Sequence, residues 1–147
     1  MSMDWLIWVI MAAILLIAVV TDLKSRIIPN KLLIAGCIVL LPVHLVLHPD
    51  EIWAYFMAAS VWLLGMWTLA ILANGRIGGG DVKLFALLGF AVGMDLTLWT
   101  FIFAHLVAGM AVLVLWIRRR FKTGDSLAFA PYTMAGFALT GLLIFNS

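Results

Sequence analysis

Six apolar runs, residues 5–20, 32–47, 52–73, 82–94, 96–117 and 127–145, are separated only by short polar stretches. No other feature limits the possible folds so tightly. With 66% of its residues hydrophobic and 11% charged, the chain stands apart from soluble domains, which run about 45–50% apolar and about 25% charged. A helix of roughly 20 residues crosses the hydrocarbon core, so six of them use most of the 147 residues. The expectation is an all-α integral membrane protein, a single bundle of six transmembrane helices spanning residues 1–147. No room is left for a separate soluble domain.

The charges orient this bundle. All nine lysines and arginines fall in three places. Lys24, Arg26 and Lys31 lie between the first two runs, Arg76 and Lys83 flank the start of the fourth, and Arg118, Arg119, Arg120 and Lys122 follow the fifth. With six spans these places share one side, and basic loops face the cytosol. The opposite loops carry His48, Asp50, Glu51 and Asp95 instead. Both termini are then outside. Trp5, Trp8, Trp53 and Trp99 are expected near the outer interface and Trp116 near the inner one, with Trp62 and Trp67 packing inside the third run. The first run has no basic segment before it and is expected to be retained rather than cleaved. A lone cysteine, Cys37, excludes an intrachain disulfide and reads as packing in its helix. The net charge of +2 is spent on topology, so the expected partner is the lipid bilayer and no nucleic acid.

The fourth run is short. Its 13 residues, 82–94, make about 20 Å of helix against a hydrocarbon core of about 30 Å. If its far end reaches the outer interface, its start lies below the inner one, where irregular backbone survives only inside protein or a wet cavity. Gly78-Gly79-Gly80 can make such a loop, because glycine lets backbones turn and approach closely. Gly89 and Gly93 have the spacing of a close helix contact. The plainer alternative is one bent helix across the fourth and fifth runs, with Asp81 as its solvated cap.

Against this background two acids stand out, Asp22 in Thr21-Asp22-Leu23-Lys24 and Asp81 in Gly78-Gly79-Gly80-Asp81-Val82-Lys83-Leu84. A carboxylate at a bilayer boundary is costly and is a functional hypothesis by default. Singly, Asp22 reads as an interfacial acid paired with Lys24 or Arg26, and Asp81 as a helix cap. Together on one face, beside three glycines, they read as a pair that activates water, one carboxylate taking a proton while its protonated partner polarises a carbonyl. Asp81, at a helix start, is expected to lean toward the base and Asp22, in a last turn, toward the acid.

These residues resemble the type IV prepilin peptidases. Gly78-x-Gly80-Asp81 followed by Val82-Lys83-Leu84 is similar to the family's GxGD motif, and Asp22 with Ile28-Pro29-Asn30 to its first-aspartate motif. Ala128-Phe129-Ala130-Pro131, leading to Tyr132, stands where the family has Pro-Phe-Gly-Pro. The resemblance covers nearly the whole chain. It implies a membrane aspartic endopeptidase that removes the leader of type IV pilin-like precursors at the cytosolic face of the bacterial inner membrane, with Asp22 and Asp81 catalytic. The glycine triplet and size look most like the small peptidases of tight-adherence (Flp) pili. The cytosolic methyltransferase domain of larger members, with its paired cysteines, has no counterpart here, so methylation is not expected.

Other residues carry weaker signals. Gly78, Gly79 and Gly80 are expected to serve substrate access. Lys83 sits about 200° around a helix from Asp81 and either snorkels to headgroups or touches substrate. Arg118-Arg119-Arg120 reads as a topology anchor. His105 is expected to hydrogen-bond a neighbouring helix. No metal or cofactor is expected, since no His or Cys lies near the aspartates in sequence, and no oligomeric state is implied. The competing class is a small proton-coupled transporter or channel subunit. Its sites tend to lie at the bilayer midplane in repeated halves, and neither property is visible here.

Overall fold

In a computed structural model, residues 4–74, 76–118 and 128–145 are described. The elements among them are α1 (Asp4–Ser25), α2 (Asn30–Leu47), a 3-10 turn (Pro49–Glu51), α3 (Ile52–Leu72), α4 (Gly79–Ile117) and α5 (Ala130–Phe145). Arg119, Arg120 and Lys122, part of the expected topology anchor, lie outside the described residues. Four helical stretches, those of α1, α2, α3 with its leading turn, and α4, are long and apolar enough to cross a membrane. The protein is an all-helical, multi-pass membrane protein.

α4 is two antiparallel arms rather than one rod. Gly93, at φ 81° and ψ −177°, breaks the helix in a region that side chains other than hydrogen avoid. Phe85 and Phe101 lie 16 positions apart, about 24 Å along a straight helix, yet their ring centroids are 5.4 Å apart. Both rings also pack on Trp62 of α3, at 5.8 and 5.5 Å. The chain therefore reverses at Gly93, and the arms, residues 79–92 and 94–117, correspond to the fourth and fifth apolar runs. The bent-helix alternative fails on this geometry.

The reversal corrects the role expected of Gly93. Of the Gly89 and Gly93 pair, only Gly89 is a tight packing point, where an added Cβ would stand 2.9 Å from the Ala58 carbonyl oxygen of α3. Gly93 is the hinge. The second arm meets α5 through Gly136, whose Cβ would stand 2.5 Å from the Thr100 carbonyl oxygen.

The first arm of α4 is the hub of the bundle. Val82, Leu84, Phe85, Leu87, Leu88, Gly89, Phe90 and Ala91 are all buried, and a helix enclosed on most sides must be apolar on most of them. Met11 and Leu15 of α1 and Leu40 of α2 pack against it with no exposure. The outer surface is the reverse of a soluble protein's: Trp53, Val46 and Leu72 are among the many large apolar side chains left exposed. Lipid solvates such a surface at no cost.

One tryptophan expectation changes. Trp62 is packed inside as expected, but Trp67 is 59% exposed, because it lies on the lipid side of α3. Trp8 stacks on Phe137 at 4.3 Å, while Trp5, Trp53, Trp99 and Trp116 are exposed. Cys37, expected to pack, is exposed on α2.

At one end of the bundle, Asp4 accepts or shares a hydrogen bond with His48 Nε2 at 2.8 Å, which ties the start of α1 to the turn after α2. His48 packs near Tyr55, and Tyr55 lies under Gly93. The other end gathers the close of α1 and the starts of α2, α4 and α5. Asp22 and Asp81 are there.

Candidate active site

Asp22 lies in the last helical turn of α1. The helix ends because Arg26 takes a left-handed conformation, φ 56°, and its N–H closes on the Asp22 carbonyl oxygen at 2.9 Å. This single 5→1 bond is a common helix stop. The chain then passes through Ile27 and Ile28 to Pro29, which is extended at φ −65° and ψ 129°, and α2 starts at Asn30. The short connector turns Ile28 inward, where it is buried.

The Asp22 side chain is buried too, 7% exposed. Its Oδ2 accepts the backbone N–H of Ala130 at 2.9 Å. That donor is 108 positions away and belongs to the first turn of α5, whose leading N–H groups have no partner within the helix. The stretch Ala128-Phe129-Ala130-Pro131 thus anchors the first aspartate.

Asp81 enters from the opposite wall. Gly78 is the N-cap of α4, with φ −67° and ψ 139°, and Asp81 and Val82 donate their N–H groups to its carbonyl at 3.0 and 3.3 Å. Asp81 is the third residue of the helix, and its carboxylate folds back toward Gly78. A Cβ on Gly78 would sit 3.3 Å from Oδ2. An acid in this position returns to the backbone of the cap, as in a capping box.

The two walls meet at Gly80. A Cβ there would stand 3.0 Å from Ile28 Cβ, so the missing side chain is what lets the Ile27-Ile28-Pro29 connector lie against the start of α4. The result is a cavity of about 230 Å³ lined by Asp22, Arg26, Ile27, Ile28, Gly78, Gly79, Gly80 and Asp81. Both carboxylates face it, and they interact electrostatically. Most of the expected site residues are therefore together in one polar pocket.

Lys83 is the exception. It does not line this cavity and lies exposed on the far side of the helix, where Nζ donates to Asn30 Oδ1 at 3.0 Å. The 200° offset from Asp81 dictates this placement. His105 also departs from expectation. Its Nδ1 lies 2.8 Å from the Phe101 carbonyl oxygen one turn earlier in its own helix, and its ring packs on Phe101 and Phe129 at 4.0 and 5.0 Å. It makes no link to a neighbouring helix's polar group in these bonds. Sequence reasoning had not placed Arg26 and Ile27 as cavity walls, nor the Ala130 N–H as a partner of Asp22. For Ala130 the available signal was Pro131, a residue favoured in the first turn of a helix.

The model of the type IV leader peptidase family matches residues 9–115. A curated Bacillus subtilis protein, "Prepilin leader peptidase/N-methyltransferase", is 31% identical over 134 residues, 91% of this chain. The chain spans 54% of that relative's length. No solved structure matches. The matched region contains Asp22, the Ile28-Pro29-Asn30 connector, Gly78-Gly79-Gly80-Asp81 and the whole first arm of α4. The chain belongs to the type IV leader peptidase family.

Proposed function

We propose that the chain is a membrane aspartic endopeptidase that removes the leader of type IV pilin-like precursors, with Asp22 and Asp81 as the catalytic pair. One observation carries the reading: two acids from separate helices face one small polar cavity. Family membership favours hydrolysis over the transporter alternative.

The chemistry follows from two close carboxyl groups holding one proton between them. The ionised carboxylate takes a proton from a water molecule, and that water's oxygen attacks the scissile carbonyl carbon. The protonated partner donates a hydrogen bond to the carbonyl oxygen and so stabilises the negative charge that develops there. Collapse of the tetrahedral intermediate breaks the C–N bond, and the nitrogen leaves with a proton from the pair. The structure adds one constraint. Because Asp22 Oδ2 already accepts the Ala130 N–H, a proton carried by Asp22 resides on Oδ1. A pH–rate profile of two coupled carboxyl groups reports the pair and neither residue alone.

Gly78, Gly79 and Gly80 form the wall against which an extended peptide lies, since a backbone without side chains leaves room for another. The glycine triplet supports the tight-adherence (Flp) precursors as the substrate group. The methyl transfer in the relative's name is not assigned to this chain.

We further propose six membrane spans, with both arms of α4 crossing, both termini outside and the cavity at the cytosolic face of the inner membrane. The charges support this: Lys24, Arg26, Lys31, Arg76, Lys83 and Arg118 all belong to the ends of elements that surround the cavity or to the same side of the bundle. Co-expression with a pilin-like precursor, followed by gel shift for leader loss, tests the activity. Normal processing by both Asp22→Asn and Asp81→Asn variants would end the protease reading. A reporter fused after Arg120 is expected to signal cytosol, and a periplasmic signal would overturn the orientation.

A further inference from the structure

A second hollow lies away from the aspartates, on the lipid-facing side of α2, α3 and the first arm of α4. It has a volume of about 400 Å³ and almost wholly apolar walls. Its walls run from Leu33 to Leu41 on α2, from Leu63 back to Phe56 on α3, and from Lys83 to Phe90 on α4. Each stretch covers eight or nine residues, about 10–12 Å of helix from first to last. The groove is therefore parallel to the helices and begins at the same end as the aspartate cavity. Its depth is close to one leaflet, about half of a 30 Å hydrocarbon core.

The mouth of the groove is charged in one sense. Lys83 is the single ionised side chain in its lining. Its ammonium donates to Asn30 at the first position of α2, which leaves its other N–H groups for a further acceptor. Asn30 opens an 18-residue helix, so unpartnered backbone N–H groups and the positive end of the dipole lie beside the ammonium. Lys31 follows, exposed. A cation and a helix start above an apolar slot match a molecule with an anionic head and an apolar tail.

We propose that this groove binds one anionic phospholipid of the leaflet on the aspartate side, its acyl chain along α2, α3 and α4 and its phosphate at Lys83. Charge favours this occupant: the single ionised side chain in the lining is a cation at the mouth of the groove, which complements a phosphate, and the apolar stretch below it is about as deep as one leaflet's acyl region. The inference is independent of the catalytic reading, since Lys83 does not line the aspartate cavity.

The test uses purified protein in bilayer discs containing equal phosphatidylglycerol and phosphatidylcholine, with the lipid retained in native mass spectra counted. One held lipid is expected, enriched about fivefold in phosphatidylglycerol, the attraction that one lysine gives near an anionic surface. Lys83→Gln should abolish the enrichment, and Ala86→Phe, which fills the groove, should lose the lipid. Cys37 lines the same groove and reports on it in the unaltered protein. Its alkylation by a small apolar maleimide should slow when phosphatidylglycerol replaces phosphatidylcholine. Equal retention of the two lipids, or enrichment that survives Lys83→Gln, overturns the proposal. Protection of Cys37 by a pilin-like precursor in place of the anionic lipid also overturns it and gives the groove to the substrate.

Discussion

The two ends of this bundle treat acids in opposite ways. At the end that holds Gly93, Asp4 meets His48 at 2.8 Å, with the side chains 58% and 25% exposed. An acid faces a base there, and solvent reaches both. At the other end Asp22 faces Asp81 across a small cavity whose lining holds two acids and one base, Arg26. The first arrangement is what stability alone selects. The second brings two like groups to one largely enclosed cavity, an arrangement that costs stability and marks a candidate for chemistry. A stable fold does not need Asp22 and Asp81 where they are; a water-activating pair does.

The contrast is sharpest under substitution. Asp22→Asn or Asp81→Asn is expected to cut leader cleavage by at least about 10²–10⁴-fold, the usual contribution of a positioned acid or base. The thermal midpoint should hold or rise, because one of two like charges is gone. A fall in activity that merely tracks a loss of folded protein would erase the distinction between the two ends.

Next in size is the anchor of Asp22. Ala130→Pro removes the N–H that Oδ2 accepts at a helix position that tolerates proline. Hydrogen bonds to charged groups contribute about 1.5–3 kcal/mol, so cleavage should drop by roughly 10- to 100-fold. Unchanged turnover would mean that Asp22 is placed by α1 alone.

The glycine wall gives a smaller and more diagnostic effect. Gly80→Ala drives a methyl against Ile28 Cβ at 3.0 Å, an overpacking that costs about 1–3 kcal/mol and should separate the two walls of the cavity. Trimming the partner, as Gly80→Ala with Ile28→Ala, should restore part of the activity. Gly109→Ala, which meets nothing within 4 Å and lies outside the cavity, should change cleavage by less than about threefold, within the ±0.5 kcal/mol of an ordinary surface substitution. Equal losses at Gly109 and Gly80 would refute the contact as the reason.

Smallest of all is the far end. Asp4→Asn breaks a pair worth at most about 1 kcal/mol at such exposure. The thermal midpoint should fall by a few degrees at most and leader cleavage should be unaffected. A large loss of activity from this variant would show that the two ends are coupled.

How much of this was legible in the sequence depended on the range of the interaction. The six apolar runs recur as six helical segments, and the acids, glycines and Ile28-Pro29-Asn30 connector were visible because helix starts and stops are local. The chain reversal was legible as a short fourth run, but its position was not. Asp95 looked like the loop, whereas the helix breaks at Gly93, where a glycine can adopt a positive φ. Trp67, Cys37 and His105 were misplaced for one reason. An apolar helix in lipid carries little amphipathic pattern, so nothing in the sequence says which of its faces meets protein.

The sequence by itself determined that the chain lives in a membrane, roughly which stretches are helical, and that its motif-borne acids fall at one end. Those properties follow from hydropathy, charge placement and local backbone preference, each acting over a few residues. Only the tertiary structure decided that the Ala130 N–H would hold Asp22, that Ile28 would lean on Gly80, and that Lys83 would leave Asp81 for Asn30. These contacts join residues 50 or more positions apart, and only the packing of helices around the first arm of α4 brings them within reach.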